Sequence, residues 1–121
     1  MSLQNKETNE EFDFTAMFEK LKQSFLLEEA TLLRILTSFT DDVREDIQDL
    51  EESCRVKNYQ HIRNIAHKLA GASGNLRLDF VYKLAQEMEE SASQNVDIDY
   101  LVKVEMLKTY FEQLREALQH K

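Results

Sequence analysis

The chain has no proline and only two glycines, Gly71 and Gly74, so nothing outside one short stretch interrupts a helix. Proline removes a backbone donor and clashes with the preceding turn, and glycine carries the largest entropic cost of ordering, so these two residues set where helices end. Their scarcity, with plentiful Leu, Glu, Lys and Gln, predicts an all-α protein. Both glycines fall in Ile65-Ala66-His67-Lys68-Leu69-Ala70-Gly71-Ala72-Ser73-Gly74-Asn75-Leu76, four and seven residues after His67. The flanking pattern is helical, and glycine inside a helix costs roughly 1 kcal/mol relative to alanine. Two of them beside a histidine require a reason.

Apolar spacing places the helices. Phe14, Met17, Phe18, Leu21 and Phe25 give one side of a short helix that starts at Asp13 or Thr15 and runs to about Ser24. Leu32, Leu36, Phe39, Val43, Ile47, Leu50 and Cys54 step by three and four, which predicts a long core-facing helix over 28–54. Asp41, Asp42, Glu45, Asp46, Asp49 and Glu52 occupy its other sides as a solvated acidic face. A break at 56–58, with Asn58 as N-cap, opens a third helix over 59–76. A tight connection around 77–79 leads to a fourth, whose apolar side is Val81, Leu84, Ala85, Met88 and Ala92. Asp97 or Asp99 caps the last, with Tyr100, Val104, Leu107, Phe111, Leu114 and Leu118 on one stripe. Four long helices with short loops bury such stripes only by running antiparallel. The expectation is an up-down-up-down four-helix bundle with a short additional N-terminal helix. Residues 13–121 form the one domain this length supports, and residues 1–12, polar and acidic without periodicity, are expected to be a disordered tail or linker.

Composition excludes several roles. A net charge of −8 argues against a nucleic-acid binder that works by phosphate neutralisation. No apolar run approaches the ~20 residues of a membrane span, and there is no signal-peptide core at the start. Cys54 is the one cysteine and fits a small core position, so the chain makes no case for an oxidising compartment, and a cytoplasmic location is expected. Charge is unevenly placed, however. The segment 55–83 carries six basic residues against Asp79 alone, making it +5 and leaving −13 for the rest. The one basic stretch of an acidic protein is the stretch that holds His67, a field suited to an anionic ligand or an acidic surface.

A wheel of 100° per residue, with Ile62 at zero, sorts the third helix. Ile62, Ile65, Ala66, Leu69, Ala72, Ser73 and Leu76 fall between about 280° and 40°, and this face enters the core. His67 falls near 140°, Gly74 near 120° and Gly71 near 180°, so the imidazole points at solvent or a partner. Side chains lean toward the helix N-terminus, so Gly71 and Ala70, at i+4 and i+3, cover the space beside it, with Gly74 a turn further on. All three are small, and another surface can approach closely. Arg63 and Asn64, at i−4 and i−3, offer a cation and an amide. A phosphorylatable histidine needs this arrangement: neutral imidazole is the nucleophile, a cation nearby favours that form and can neutralise phosphoryl oxygens, and in-line approach needs clearance.

At these residues the chain resembles a family. His67, Leu69, Gly71, the small Ala72, Ser73 and Gly74, and Leu76 match the phosphorylation motif of histidine-containing phosphotransfer (HPt) domains of two-component phosphorelays. Chain length, helix order and the position of the histidine on the second bundle helix extend the likeness over nearly the whole sequence. Two positions depart from the pattern: the family's lysine three residues after the histidine is Ala70, and its glycine ten residues after is Arg77. Arg63 or Lys68 is the candidate substitute for the missing cation.

The resemblance implies that His67 accepts a phosphoryl group from a receiver-domain phospho-aspartate and passes it to another receiver aspartate, with Nε2 attacking. It implies response-regulator receivers as partners, with a hybrid sensor histidine kinase as a further one, and magnesium on the receiver with no cofactor or metal on this chain. It also implies a phosphotransfer intermediate without independent catalytic activity, with no nucleic acid and no membrane contact. The alternative readings are an HPt-like interaction module that lacks transfer, and a plain helical-bundle adaptor. A metalloenzyme bundle is the weakest reading, because His61 and His67 are six residues apart and share no face, and His120 sits by the C-terminus.

Overall fold

A computed structural model of the chain describes residues 13–120. The expected tail, residues 1–12, lies outside the described residues, as does Lys121. The described residues form five α-helices and no strand: α1 Phe14–Phe25, α2 Glu29–Arg55, α3 Tyr59–Asn75, α4 Asp79–Ser93 and α5 Tyr100–Gln119. Caps fix two of the starts. The Asp13 carboxylate accepts the Ala16 N–H at 3.2 Å, and the Asn58 amide oxygen accepts the His61 N–H at 3.1 Å. Asp99 holds the N-cap position of α5 without a side-chain bond, while Asp97 pairs with Lys57 at 2.9 Å instead.

Each apolar stripe meets its neighbours around one core. Leu32, Leu36, Val43, Ile47, Leu50 and Cys54 of α2 are buried, as are Val104, Leu107, Phe111 and Leu114 of α5. Phe39 is half-buried and meets the Phe111 ring edge-on at 5.8 Å. The long helices touch in the order α2–α3–α4–α5 and back to α2, which closes an antiparallel four-helix bundle. The α3–α4 pair, which carries the histidine, shares the most extensive interface. Short α1 lies against α2 and buries Phe18 and Leu21. Among the described residues no helix is long and apolar enough to cross a membrane.

With no glycine to spare, the connections use other residues in the left-handed region: Leu26, Lys57, Arg77 and Asn95 have φ between 53° and 57°. Arg77 shows how the turn into α4 forms without the glycine expected there. Its N–H donates to Gly74 C=O at 3.1 Å, and the Leu78 N–H donates to Ser73 C=O at 2.9 Å, the paired bonds of a Schellman stop. A left-handed non-glycine residue costs roughly 1–2 kcal/mol. The Arg77 guanidinium lies 5.4 Å from the Phe25 ring centroid, and this contact offsets part of that cost while tying α1 to the turn.

Cys54 is buried as expected. Burial, with the Glu51 charge adding to it, pushes the thiol up to about 11, so little thiolate exists near neutral pH. Native protein at pH 8 should therefore resist iodoacetamide and become alkylated only when urea unfolds it, as mass spectrometry reads directly. Rapid modification of the native chain would contradict this packing.

Candidate functional site

His67 sits midway along α3 and faces away from the core. Its side chain is 74 % exposed, as the wheel requires. The core-facing set is also as expected at its centre: Ile62, Ala66, Leu69 and Ser73 are buried, and Ile65, Ala72 and Leu76 are half-buried. The Ser73 hydroxyl donates to Leu69 C=O at 2.7 Å, so this buried polar group is satisfied.

The nearest polar neighbour of the imidazole is Glu89 on α4, a residue sequence reasoning missed. His67 Nδ1 lies 2.6 Å from Glu89 Oε2. A carboxylate only accepts, so Nδ1 is the donor in this contact, and in the neutral ring the lone pair is then on Nε2. Glu89 is itself 25 % exposed, on the edge of the apolar side of α4 between Ala85 and Ala92. A partial signal existed in the hairpin geometry: antiparallel helices joined by a three-residue turn bring residues at similar distances from it to nearly one level, without fixing their rotation. His67 is ten residues before Arg77 and Glu89 twelve after it.

The two glycines do different jobs. A Cβ built on Gly71 meets nothing within 4 Å, so the space one turn beyond His67 is open. A Cβ on Gly74 would come 3.1 Å from Cδ1 of Tyr82 on α4. Gly74 therefore makes room for the Tyr82 ring, and the expectation that both glycines clear the approach to His67 is corrected for this one. Ala70 is corrected as well: it is 6 % exposed and belongs to the packed wall, because α3 packs on two neighbours and its buried arc is wider than the wheel's face. Two measurements of stability separate the glycines. Gly71→Ala should gain up to ~1 kcal/mol from helix propensity, and Gly74→Ala clearly less, because the Tyr82 ring must shift; equal gains in urea unfolding would remove the distinction.

The basic field is weaker than the sequence count implies. Lys68 pairs with Asp46 of α2 at 3.2 Å, Arg55 with Glu51 at 2.8 Å, and Lys57 with Asp97. Arg63 Nη1 donates to Asn64 Oδ1 at 3.3 Å, and neither side chain bonds His67. Thus Arg63, Asn64 and Lys68 lie around the motif without contacting the imidazole, and the charge beside the imidazole is a carboxylate. Lys68, Leu69 and Ala72 also line one wall of an open groove of about 740 Å³ between α3 and α2, with Phe39, Val43 and Asp46 opposite. Among the described residues no three His, Cys, Asp or Glu side chains come together as a metal would need.

What the site can do follows from these parts: an exposed imidazole, a carboxylate that holds its Nδ1, and open space beside it. Comparison with known proteins gives one match. The family described as Hpt domain matches residues 34–120, from the first turns of α2 to the end of α5, with α1 outside the matched region. No curated protein and no solved structure matches the chain.

Proposed function

The chain belongs to the Hpt domain family, the histidine-phosphotransfer modules of two-component phosphorelays, and on that premise we propose that His67 is its phosphoryl carrier. It accepts the group from the phospho-aspartate of one receiver domain and yields it to the aspartate of another, in the cytoplasm. The observation that carries this reading is the contact at 2.6 Å between His67 Nδ1 and Glu89, on a ring whose other nitrogen faces solvent.

The chemistry balances around that contact. The Nε2 lone pair forms the N–P bond as the P–O bond breaks, and its electrons leave on the receiver's aspartate. The ring becomes a phospho-imidazolium that keeps its Nδ1 proton, and its positive charge faces the Glu89 carboxylate. In the onward step an aspartate oxygen attacks phosphorus, and the N–P electrons return to Nε2. Because Nδ1 stays protonated, the leaving group is a neutral imidazole and no proton has to move. Glu89 is thus a positioning residue for both directions.

The partner supplies what this chain lacks. Magnesium is expected on the receiver, together with the cations that neutralise the phosphoryl oxygens, since Ala70 brings no charge and Lys68 is engaged by Asp46. The groove beside Lys68, with half-buried Phe39, offers the receiver an apolar foothold. Among the described residues no cation bonds His67, and this is the one observation that favours an interaction module without transfer. Incubation with a phosphorylated receiver and magnesium separates the two: a carrier gains phosphate, and a silent module binds the receiver without gaining any.

Clearance at Gly71 is a requirement of in-line approach. Gly71→Gln should fold at least as well as the natural chain, because glutamine is the better helix former. It should nevertheless accept phosphate about tenfold more slowly, by crowding the imidazole. Unchanged transfer rates in rapid-quench assays would show that the open space has no part in transfer.

A further inference from the structure

On the opposite pair of helices, α2 and α5, a small groove of about 170 Å³ gathers basic side chains that the phosphotransfer reading does not use. Arg44, Lys108 and Arg115 line it, with Gln48 and Thr40 beside them and Glu112 as the one acid. Lys108 is held by Glu51 at 3.1 Å and Glu105 at 3.5 Å, and the Thr40 hydroxyl is committed to Leu36 C=O. Arg44 and Arg115 have no ion pair or hydrogen bond among the described residues. More telling, the Nε of Arg115 is buried without any acceptor. Buried donors are nearly always paired, because an unpaired one forfeits its hydration, so an orphan guanidinium N–H needs an explanation.

We propose that this groove is an oxyanion site that takes a phosphate group. Turning the outer torsions of Arg115 presents Nε–H and one Nη–H together, the side-on fork that two oxygens of an anion match. Arg44 from the facing helix reaches a third oxygen, which suits a tetrahedral, multiply charged anion better than a planar carboxylate. The groove, at about 170 Å³, has room for a phosphate group. The net charge of −8 repels anions in general, so binding here must come from the local constellation. The site lies on helices other than those that carry His67 and Glu89, and its occupancy does not depend on phosphotransfer.

The test is a titration of the full chain with inorganic phosphate at ionic strength held constant with chloride, followed by ¹H–¹⁵N spectra that include the arginine Nε–H signals. The expected result is a saturable shift of the Arg115 Nε–H and of Arg44 and Gln48, with half-saturation on the order of millimolar. Arg115→Gln and Arg44→Gln should each weaken binding about tenfold or more, and His67→Gln should leave it unchanged. Arg115→Gln should also fold no less well than the natural chain, since it removes an unsatisfied donor. The absence of a saturable shift, the same shift from chloride alone, or full affinity in Arg115→Gln would each overturn the proposal.

Discussion

His67→Gln should abolish phosphate acceptance from a phosphorylated receiver while the protein stays folded. The side chain is 74 % exposed, and its one polar contact among the described residues is Glu89, so the substitution opens no cavity and strands no buried donor. Surface changes of this kind move stability by about 0.5 kcal/mol or less. Glutamine has no ring nitrogen to form the N–P bond, so the loss is complete, not partial. Circular dichroism and urea unfolding establish that the bundle is intact, and radiolabel from a phospho-receiver measures transfer. Labelling of the variant at the natural rate would place the acceptor elsewhere in the chain.

The second large effect belongs to Glu89. Removing the carboxylate in Glu89→Ala frees the ring to rotate and to carry its proton on either nitrogen, so part of the population presents Nε2–H and cannot attack. It also removes the negative charge that would face a phospho-imidazolium. Orienting partners of this kind are worth roughly 10–100-fold, and both forward and reverse transfer should slow by that amount. Glu89→Gln keeps an acceptor oxygen but not the charge, and should fall between the two. A purely structural role would leave the tautomer alone, so the ¹⁵N shifts of His67 decide the mechanism: the natural chain should show protonated Nδ1, and Glu89→Ala should show a mixture. An unchanged tautomer with unchanged rates would remove Glu89 from the account.

Much of this architecture is legible in the sequence, because one-dimensional periodicity and capping chemistry govern it. The stripe from Leu32 to Cys54 needs only a helix and a core, and the caps at Asp13 and Asn58 need only their own first turn. The outward angle of His67 follows from the same counting. What was not legible depends on how two helices rotate against each other. Glu89 meets His67 because α3 and α4 pack at one particular rotation, and nothing in the local sequence of either helix fixes it. Gly74 was misassigned for the same reason: Tyr82, on the neighbouring helix, fills the space that a single-helix wheel shows as empty. Ala70 lies beyond the edge of the wheel's core face, and only the presence of two packing neighbours buries it. The basic segment looked like a field because local counting omits partners such as Asp46 and Asp97 on other elements.

The turn at Arg77 carries a similar lesson. A glycine suits its φ of 57°, yet the Schellman bonds form with arginine in place, and the side chain gains the Phe25 contact that anchors α1. Because α1 precedes the matched family region, this contact links the matched bundle to a helix outside it.

The carrier role of His67 is tested by the chemical identity of the phosphate that the chain acquires from a phosphorylated receiver with magnesium. The expected result is an acid-labile, base-stable phosphate on the chain, located by ³¹P and ¹⁵N resonance at Nε2 of His67 and discharged onto a second receiver. Binding without any such phosphate across a panel of receivers, or a phosphate at Nδ1 or on another residue, would contradict it.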